Sequence, residues 1–244
     1  HAPGRLHRIR WHAFRSGFSV CGTTPGFVLL ATSSGFGALA VDAGVTLELS
    51  LLMSVIFFAL PAQVGLIDEL ARGASVLVVA LAVSVTAIRL LPMAVSLTPY
   101  LSPRREPLAL KLFAIHQLAI TPWLEAQRRL PGAATHVRLP LYAGIGTGIT
   151  VVSAVGTVIG YMMADMLPLV VTSALLFLTP IYFLLSLMGS ATSPAHWLAI
   201  IIGAALGPAL FTALPGTGVD LLLTGLIGGT VAWLLARMRR DAAA

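Results

Sequence analysis

Leu51 to Gln63 reads LLMSVIFFALPAQ, apolar except for a hydroxyl at Ser54, a helix breaker at Pro61 and an amide at Gln63. A core helix of a soluble protein tolerates one such run. Here it is one of about eight similar runs, and that repetition predicts transmembrane helices. In hydrocarbon, nothing outside the protein satisfies the Gln63 amide or the carbonyl that Pro61 deprives of its helical donor. Those groups are expected to face other helices or a water-filled path, so this stretch is expected to help line a route through the membrane.

Composition bounds the class. Of 244 residues, 57% are hydrophobic and 10% charged, with a mean hydropathy of +0.94. So few charges do not keep that much apolar surface soluble, which predicts an integral membrane protein. The net charge of +6 does not point to nucleic acid, because the Lys and Arg lie between apolar runs and at both ends. That distribution suits the anionic cytoplasmic face of a bilayer. The single cysteine, Cys21, excludes an internal disulfide and a cysteine metal cluster. No cleavable signal peptide is expected. The chain has no GxSxG, HExxH or Walker A pattern, so neither an enzyme nor a cofactor is expected, and ATP hydrolysis would need another subunit.

Residues 1–16 place Leu6, Ile9, Ala13 and Phe14 on one helical face flanked by Arg5, Arg8, His12 and Arg15. This suits a basic helix in the headgroup layer, with a frayed chain end as the plainer reading. Residues 17–237 are expected to form one all-α transmembrane domain, and 238–244 a cytoplasmic tail. Expected spans cover about Gly17–Val41, Leu47–Ile67, Ala74–Leu101, Leu108–Trp123, Leu139–Met163, Leu167–Met188, Trp197–Leu214 and Gly218–Ala236. Glycine and proline in the first span predict a broken helix or close helix contact. The third is interrupted by Arg89 and Pro92. In the fourth, Gln117, Thr121 and Glu125 recur every four residues, which predicts a polar stripe on one helical face. The fifth carries Gly144/Gly148 and Gly156/Gly160, a spacing that lets helices approach closely. Eight crossings put the arginines of both termini in the cytoplasm; a re-entrant fourth run would leave seven.

Ser54, Phe58 and Pro61 recur 119 positions on as Ser173, Phe177 and Pro180. This suggests two repeats, 17–128 and 139–237, either parallel or inverted. Transporters often place substrate where proline-broken helices of two repeats meet, which brings Pro61 and Pro180 forward as candidates. Chance matching in a chain rich in Leu, Ala and Gly is the alternative.

Arg89 lies deep in an apolar run, where an arginine costs roughly 2.5–3.5 kcal/mol on insertion scales unless paired or hydrated. It either snorkels to an interface or holds a carboxylate. His116 belongs to the residue type that changes charge near neutral pH, which makes it a candidate proton carrier or else a neutral hydrogen-bonded histidine. Gln63 and Gln117 either orient substrate or join helices. Ser54, Gln63, Arg89 and His116 are expected to share one wet cavity.

The segment Ser54–Gln63 resembles the S-x-x-x-F-A-G-x-x-Q pattern of AzlC-type branched-chain amino acid exporters, with Leu60 in place of glycine. Ala87 to Pro99 is similar to the family's N-x-R…S-L-x-P run, matching at Arg89, Ser96, Leu97 and Pro99, with Ala87 in place of asparagine. Where the family commonly has T-D-E, this chain has Ile115, His116 and Gln117. The resemblance covers most of the chain, from Phe18 to about Arg237. It implies the large subunit of an exporter of neutral hydrophobic amino acids, working with a small AzlD-type membrane partner in a bacterial inner membrane. Export would be driven by an ion gradient. Arg89 would hold the substrate carboxylate, Ser54, Gln63 and backbone freed by Pro61 would meet the amino group, and His116 would carry the proton. The alternatives are a non-transporting scaffold or binding subunit, or a permease for another small molecule. Substrate, coupling ion and any homo-oligomer stay open.

Overall fold

A computed structural model of the chain describes residues 3–56, 60–71, 80, 84, 87–88, 90–101, 107–191, 194–213 and 219–241. Every regular element among them is helical. In order these are α1 (Pro3–Phe18), α2 (Thr24–Asp42), α3 (Leu47–Ile56), α4 (Leu60–Ala71), α5 (Leu90–Leu101), α6 (Leu108–His116), α7 (Ile120–Arg129), α8 (Thr135–Met162), α9 (Leu169–Ser190), α10 (Pro194–Ala213) and α11 (Val219–Asp241). Short 3-10 turns occupy Ser19–Gly22 and Ala164–Met166.

Among the described residues, four stretches are long and apolar enough to cross a membrane: Thr24–Asp42, Thr135–Met162, Leu169–Gly189 and His196–Ala213. Leu47–Ile56, Leu90–Leu101 and Leu223–Leu235 are shorter apolar helices. The chain divides into one compact unit of residues 1–73 and 90–179 and a second of 74–89 and 180–244.

The first unit is built on α8, and glycines explain how tightly it packs. A Cβ at Gly144 would meet the backbone of Phe14 and Phe18 in α1. One at Gly148 would stand 2.7 Å from the Phe18 carbonyl, and Gly17 faces the backbone of Leu141 and Ile145 in return. One turn pair further on, Gly156 and Gly160 face Leu30, Ser33 and Ser34 of α2, while Gly37 of α2 faces Thr157 and Tyr161. Both glycine pairs therefore seat a neighbouring helix, as their spacing predicts. The last turn of α1 packs against α8 in this way, whereas Trp11 and Phe14 stack with ring centroids 5.5 Å apart and Trp11 stays exposed.

Two expected spans are corrected. Gly17 and Phe18 belong to α1, and the membrane-length helix starts only at Thr24. Pro25 suits this start: as the second residue of α2 its missing N–H is one that a helix start leaves unmatched anyway. The fourth run is not one helix either. After His116, Gln117 is in a turn, Leu118 and Ala119 are non-helical with Ala119 extended, and α7 begins at Ile120. Pro122 is likewise accommodated as the third residue of a new helix. Gln117, Thr121 and Glu125 are all buried, but not on one continuous helical face.

The second unit pairs α10 with α11 at small residues. A Cβ at Gly228 would rest 3.6 Å from Ile202 Cγ2 and about as close to Gly203, at 3.9 Å. Near its end, the Arg237 guanidinium lies 5.4 Å from the Trp233 ring centroid. Large apolar side chains along α10, such as Ile201 and Phe211, are exposed, the pattern of a face solvated by lipid.

Candidate functional site

Polar side chains in the first unit form two buried groups on α8. The first lies on its C-terminal half. Ser153 Oγ is 2.9 Å from Ser33 Oγ of α2, and Thr157 Oγ1, one turn on, is 2.8 Å from Ser54 Oγ of α3. Ser54 also reaches the Ser50 carbonyl at 3.0 Å, and Thr157 the Ser153 carbonyl at 3.0 Å. Two hydroxyl protons serve these three contacts, so one contact is always unmade. Gln63 of α4 donates from Nε2 to the carbonyl of Met53 in the last turn of α3, at 2.9 Å. Because Met53 adjoins Ser54, the two candidates share one buried neighbourhood. Thr179 Oγ1 donates to Thr32 Oγ1 at 2.7 Å.

The second group surrounds the break between α6 and α7. Gln117, 5% exposed, lies flat against Gly146 of α8, where a Cβ would be 2.7 Å from the glutamine Cβ. Its Nε2 donates to Thr147 Oγ1 at 3.2 Å. Gln117 Oε1 and the Tyr142 hydroxyl are buried and hydrogen-bond no atom among the described residues. The amides of Ala119, Ile120 and Thr121 likewise hydrogen-bond no atom among the described residues: α7 has no side-chain cap, and the first amide to donate is that of Trp123, to the Ala119 carbonyl at 2.9 Å. Pro122 carries no N–H, so these three are the full set of unmatched donors at this helix start. Ala119 and Thr121 are 8% and 6% exposed, and each buried donor left unmade costs about 1–3 kcal/mol.

At the far end of α7, the Glu125 carboxylate takes Arg129 Nε at 3.1 Å and Arg128 Nη1 at 3.3 Å. Arg129 Nη1 reaches on to the carbonyl of Ser16 in the last turn of α1, at 3.4 Å. Trp123 Nε1 donates to Ser96 Oγ of α5 at 2.9 Å. Thus α7 is held from α1 and α5 while its N-terminal end is unmatched.

The remaining candidates fall elsewhere. His116 is exposed at the end of α6, so it does not share the buried neighbourhood of Ser54 and Gln63. Pro180 is exposed inside α9, and Pro61 is the second residue of α4. Arg89 lies outside the described residues, as does Phe58 of the suggested repeat. The paired serines differ: Ser54 is buried and bonded, whereas Ser173 is exposed in α9. Sequence reasoning missed Ser33, Ser153 and Thr157. Their signal was an i, i+4 pair of hydroxyls on α8 between the glycines, which identifies an interface only once a partner helix is known. Among the described residues, no group of three His, Cys, Asp or Glu could hold a metal ion.

Apolar helices of membrane length, packed through glycine and crossed by neutral buried hydrogen bonds, define a multi-pass helical membrane protein. The family model described as AzlC protein matches residues 25–167, more than half of the chain. The chain belongs to the AzlC family, a transporter-type family. No curated protein and no solved structure matches it.

Proposed function

We propose that this chain is the large subunit of an exporter of branched-chain or similar hydrophobic amino acids, working with a small AzlD-type partner in a bacterial inner membrane and driven by a proton gradient. Its membership of the AzlC family over residues 25–167 carries the reading. Buried neutral hydrogen-bonding groups in the first unit support it, because a zwitterion crossing hydrocarbon needs donors and acceptors to replace its water. In this reading Ser54, Gln63 and Gln117 meet the substrate's polar atoms, and Pro61 loosens backbone beside its path. His116 exchanges a proton one residue before the break.

The test is efflux of labelled leucine from proteoliposomes holding the chain with and without its small partner, with and without a pH gradient. Gradient-driven efflux that requires this chain is expected, and its rate is expected to fall at least about tenfold in His116→Ala. Absence of substrate-dependent flux with both subunits present would favour a scaffold. Undiminished gradient-driven efflux by His116→Ala would remove that histidine from coupling.

A further inference from the structure

We infer that α1 carries a docking surface for anionic phospholipid headgroups, formed by the exposed stripe of Arg8, Trp11, His12 and Arg15. The inference goes beyond the exporter reading and does not depend on it.

The stripe follows from how α1 is seated. Ala13 packs against the apolar cluster of the first unit, and Gly17, four residues on, faces the backbone of Leu141 and Ile145 in α8. Arg8, Trp11, His12 and Arg15 are spaced i, i+3, i+4 and i+7, so they share one helical face, on the opposite side of the helix from Ala13 and Gly17. All four are exposed, Trp11 by 57%. Arg8, His12 and Arg15 make no hydrogen bond or ion pair among the described residues. Nor is their charge cancelled nearby: α1 holds no Asp or Glu, and the chain's first acid is Asp42. Next to Arg15, Arg129 reaches the Ser16 carbonyl. The group it belongs to, Glu125 with Arg128 and Arg129, adds one positive charge.

The packing on α8 also sets the depth of the stripe. With 28 residues, α8 is about 42 Å long, against a hydrocarbon core of about 30 Å. The excess falls at its N-terminal end, which carries His136 and Arg138, whereas its last turns carry no charge. Phe14 meets Gly144 and Phe18 meets Gly148, so α1 runs parallel to α8 and its earlier residues lie beside the protruding end. Arg15 then sits near the hydrocarbon edge and Arg8 about 10 Å further out, a range that crosses a headgroup layer about 5–7 Å deep. Lipid phosphates occupy that layer. Tryptophan favours headgroup level, and guanidinium forks take phosphate oxygens in pairs. A zwitterionic lipid brings its own cation against the same arginines, so an anionic one is preferred. An acidic protein segment matches the charge but not this depth, nor the exposed tryptophan between the arginines.

Trp11 reports on its own neighbours. The full chain is reconstituted in bilayers of phosphatidylcholine and phosphatidylglycerol in which one or the other lipid is brominated. Quenching of Trp11 is isolated as the difference between the unaltered chain and Trp11→Phe. Phosphatidylglycerol is expected to be enriched at Trp11 at least about fivefold over its bulk share, the worth of one arginine at an anionic surface. A double variant carrying Arg8→Gln and Arg15→Gln is expected to bring the enrichment close to unity. Both arginines are exposed, so this variant leaves the seat on α8 intact. Salt at about 1 M, where charges are screened within about 3 Å, is expected to reduce the enrichment severalfold. No enrichment in the unaltered chain overturns the surface and hands the stripe to an acidic protein partner. Enrichment that survives in the folded double variant, or that salt does not move, also overturns it. Should the double variant not fold, the enrichment and its salt dependence in the unaltered chain decide.

Discussion

Tyr142 buries its whole ring in the apolar cluster of the first unit, yet its hydroxyl bonds no atom among the described residues. Removing an unmatched buried group removes its desolvation penalty and leaves packing almost unchanged. Tyr142→Phe is therefore expected to stabilise the ligand-free chain by about 1–3 kcal/mol, read as a higher melting temperature in detergent. A lower one would show that the hydroxyl has a partner after all. At this scale the sequence was partly legible. Gln63 and Gln117 stood out because an amide in an apolar run must find a partner, and both are buried beside one. Ser33 and Ser153 did not stand out, because a serine in a helix commonly bonds back to its own backbone. Only the approach of α2 to α8 shows that these two bond each other.

The helices themselves were legible from apolar runs, and the two glycine pairs of α8 from their spacing. What the runs concealed were the interruptions. From Ala114 to Trp123 the residue pattern is that of an ordinary amphipathic helix, so the four-residue recurrence of Gln117, Thr121 and Glu125 was read as one face. At both interruptions a proline stands in the first turn of the helix that follows, Pro25 in α2 and Pro122 in α7, where its missing N–H is tolerated. Proline alone does not mark a break, because α9 and α10 run through Pro180 and Pro208. The glycine contacts can be tested element against element. At Gly160 an added Cβ would press on the backbone of Ser34 in α2, atoms that cannot swing aside, whereas no atom of the described residues lies within 4 Å of one at Gly65 in α4. Gly160→Ala is expected to force α2 and α8 apart and lower stability by roughly 1–3 kcal/mol, as overpacking does. Gly65→Ala is expected to leave the melting temperature unchanged or raise it slightly. Equal behaviour of the two variants in thermal melts would argue against a glycine-seated interface between α2 and α8.

For the whole molecule, the number of crossings determines which side each terminus occupies, and both termini carry the same kind of anchor. Near the start, Trp11 is stacked on Phe14 among Arg8, His12 and Arg15. Near the end, Arg237 sits over Trp233, followed by Arg239 and Arg240. Aromatic rings prefer the headgroup layer, and arginines favour its cytoplasmic side, so both anchors are expected to lie at the cytoplasmic interface. That requires an even number of crossings. The four membrane-length helices supply four, and further crossings must then be added in pairs by the shorter apolar segments, such as α3 with α4 or α6 with α7. The single cysteine makes the count measurable. In a Cys21→Ser background, one cysteine is introduced at Ala2 or at Ala243 and challenged in intact cells with a membrane-impermeant maleimide. Neither is expected to react until the membrane holding the protein is opened, after which both are expected to react. Labelling of Ala243→Cys alone in intact cells would establish an odd number. It would place the terminal arginines on the outer face, against the charge rule, and favour a re-entrant run through the break at residues 117–119.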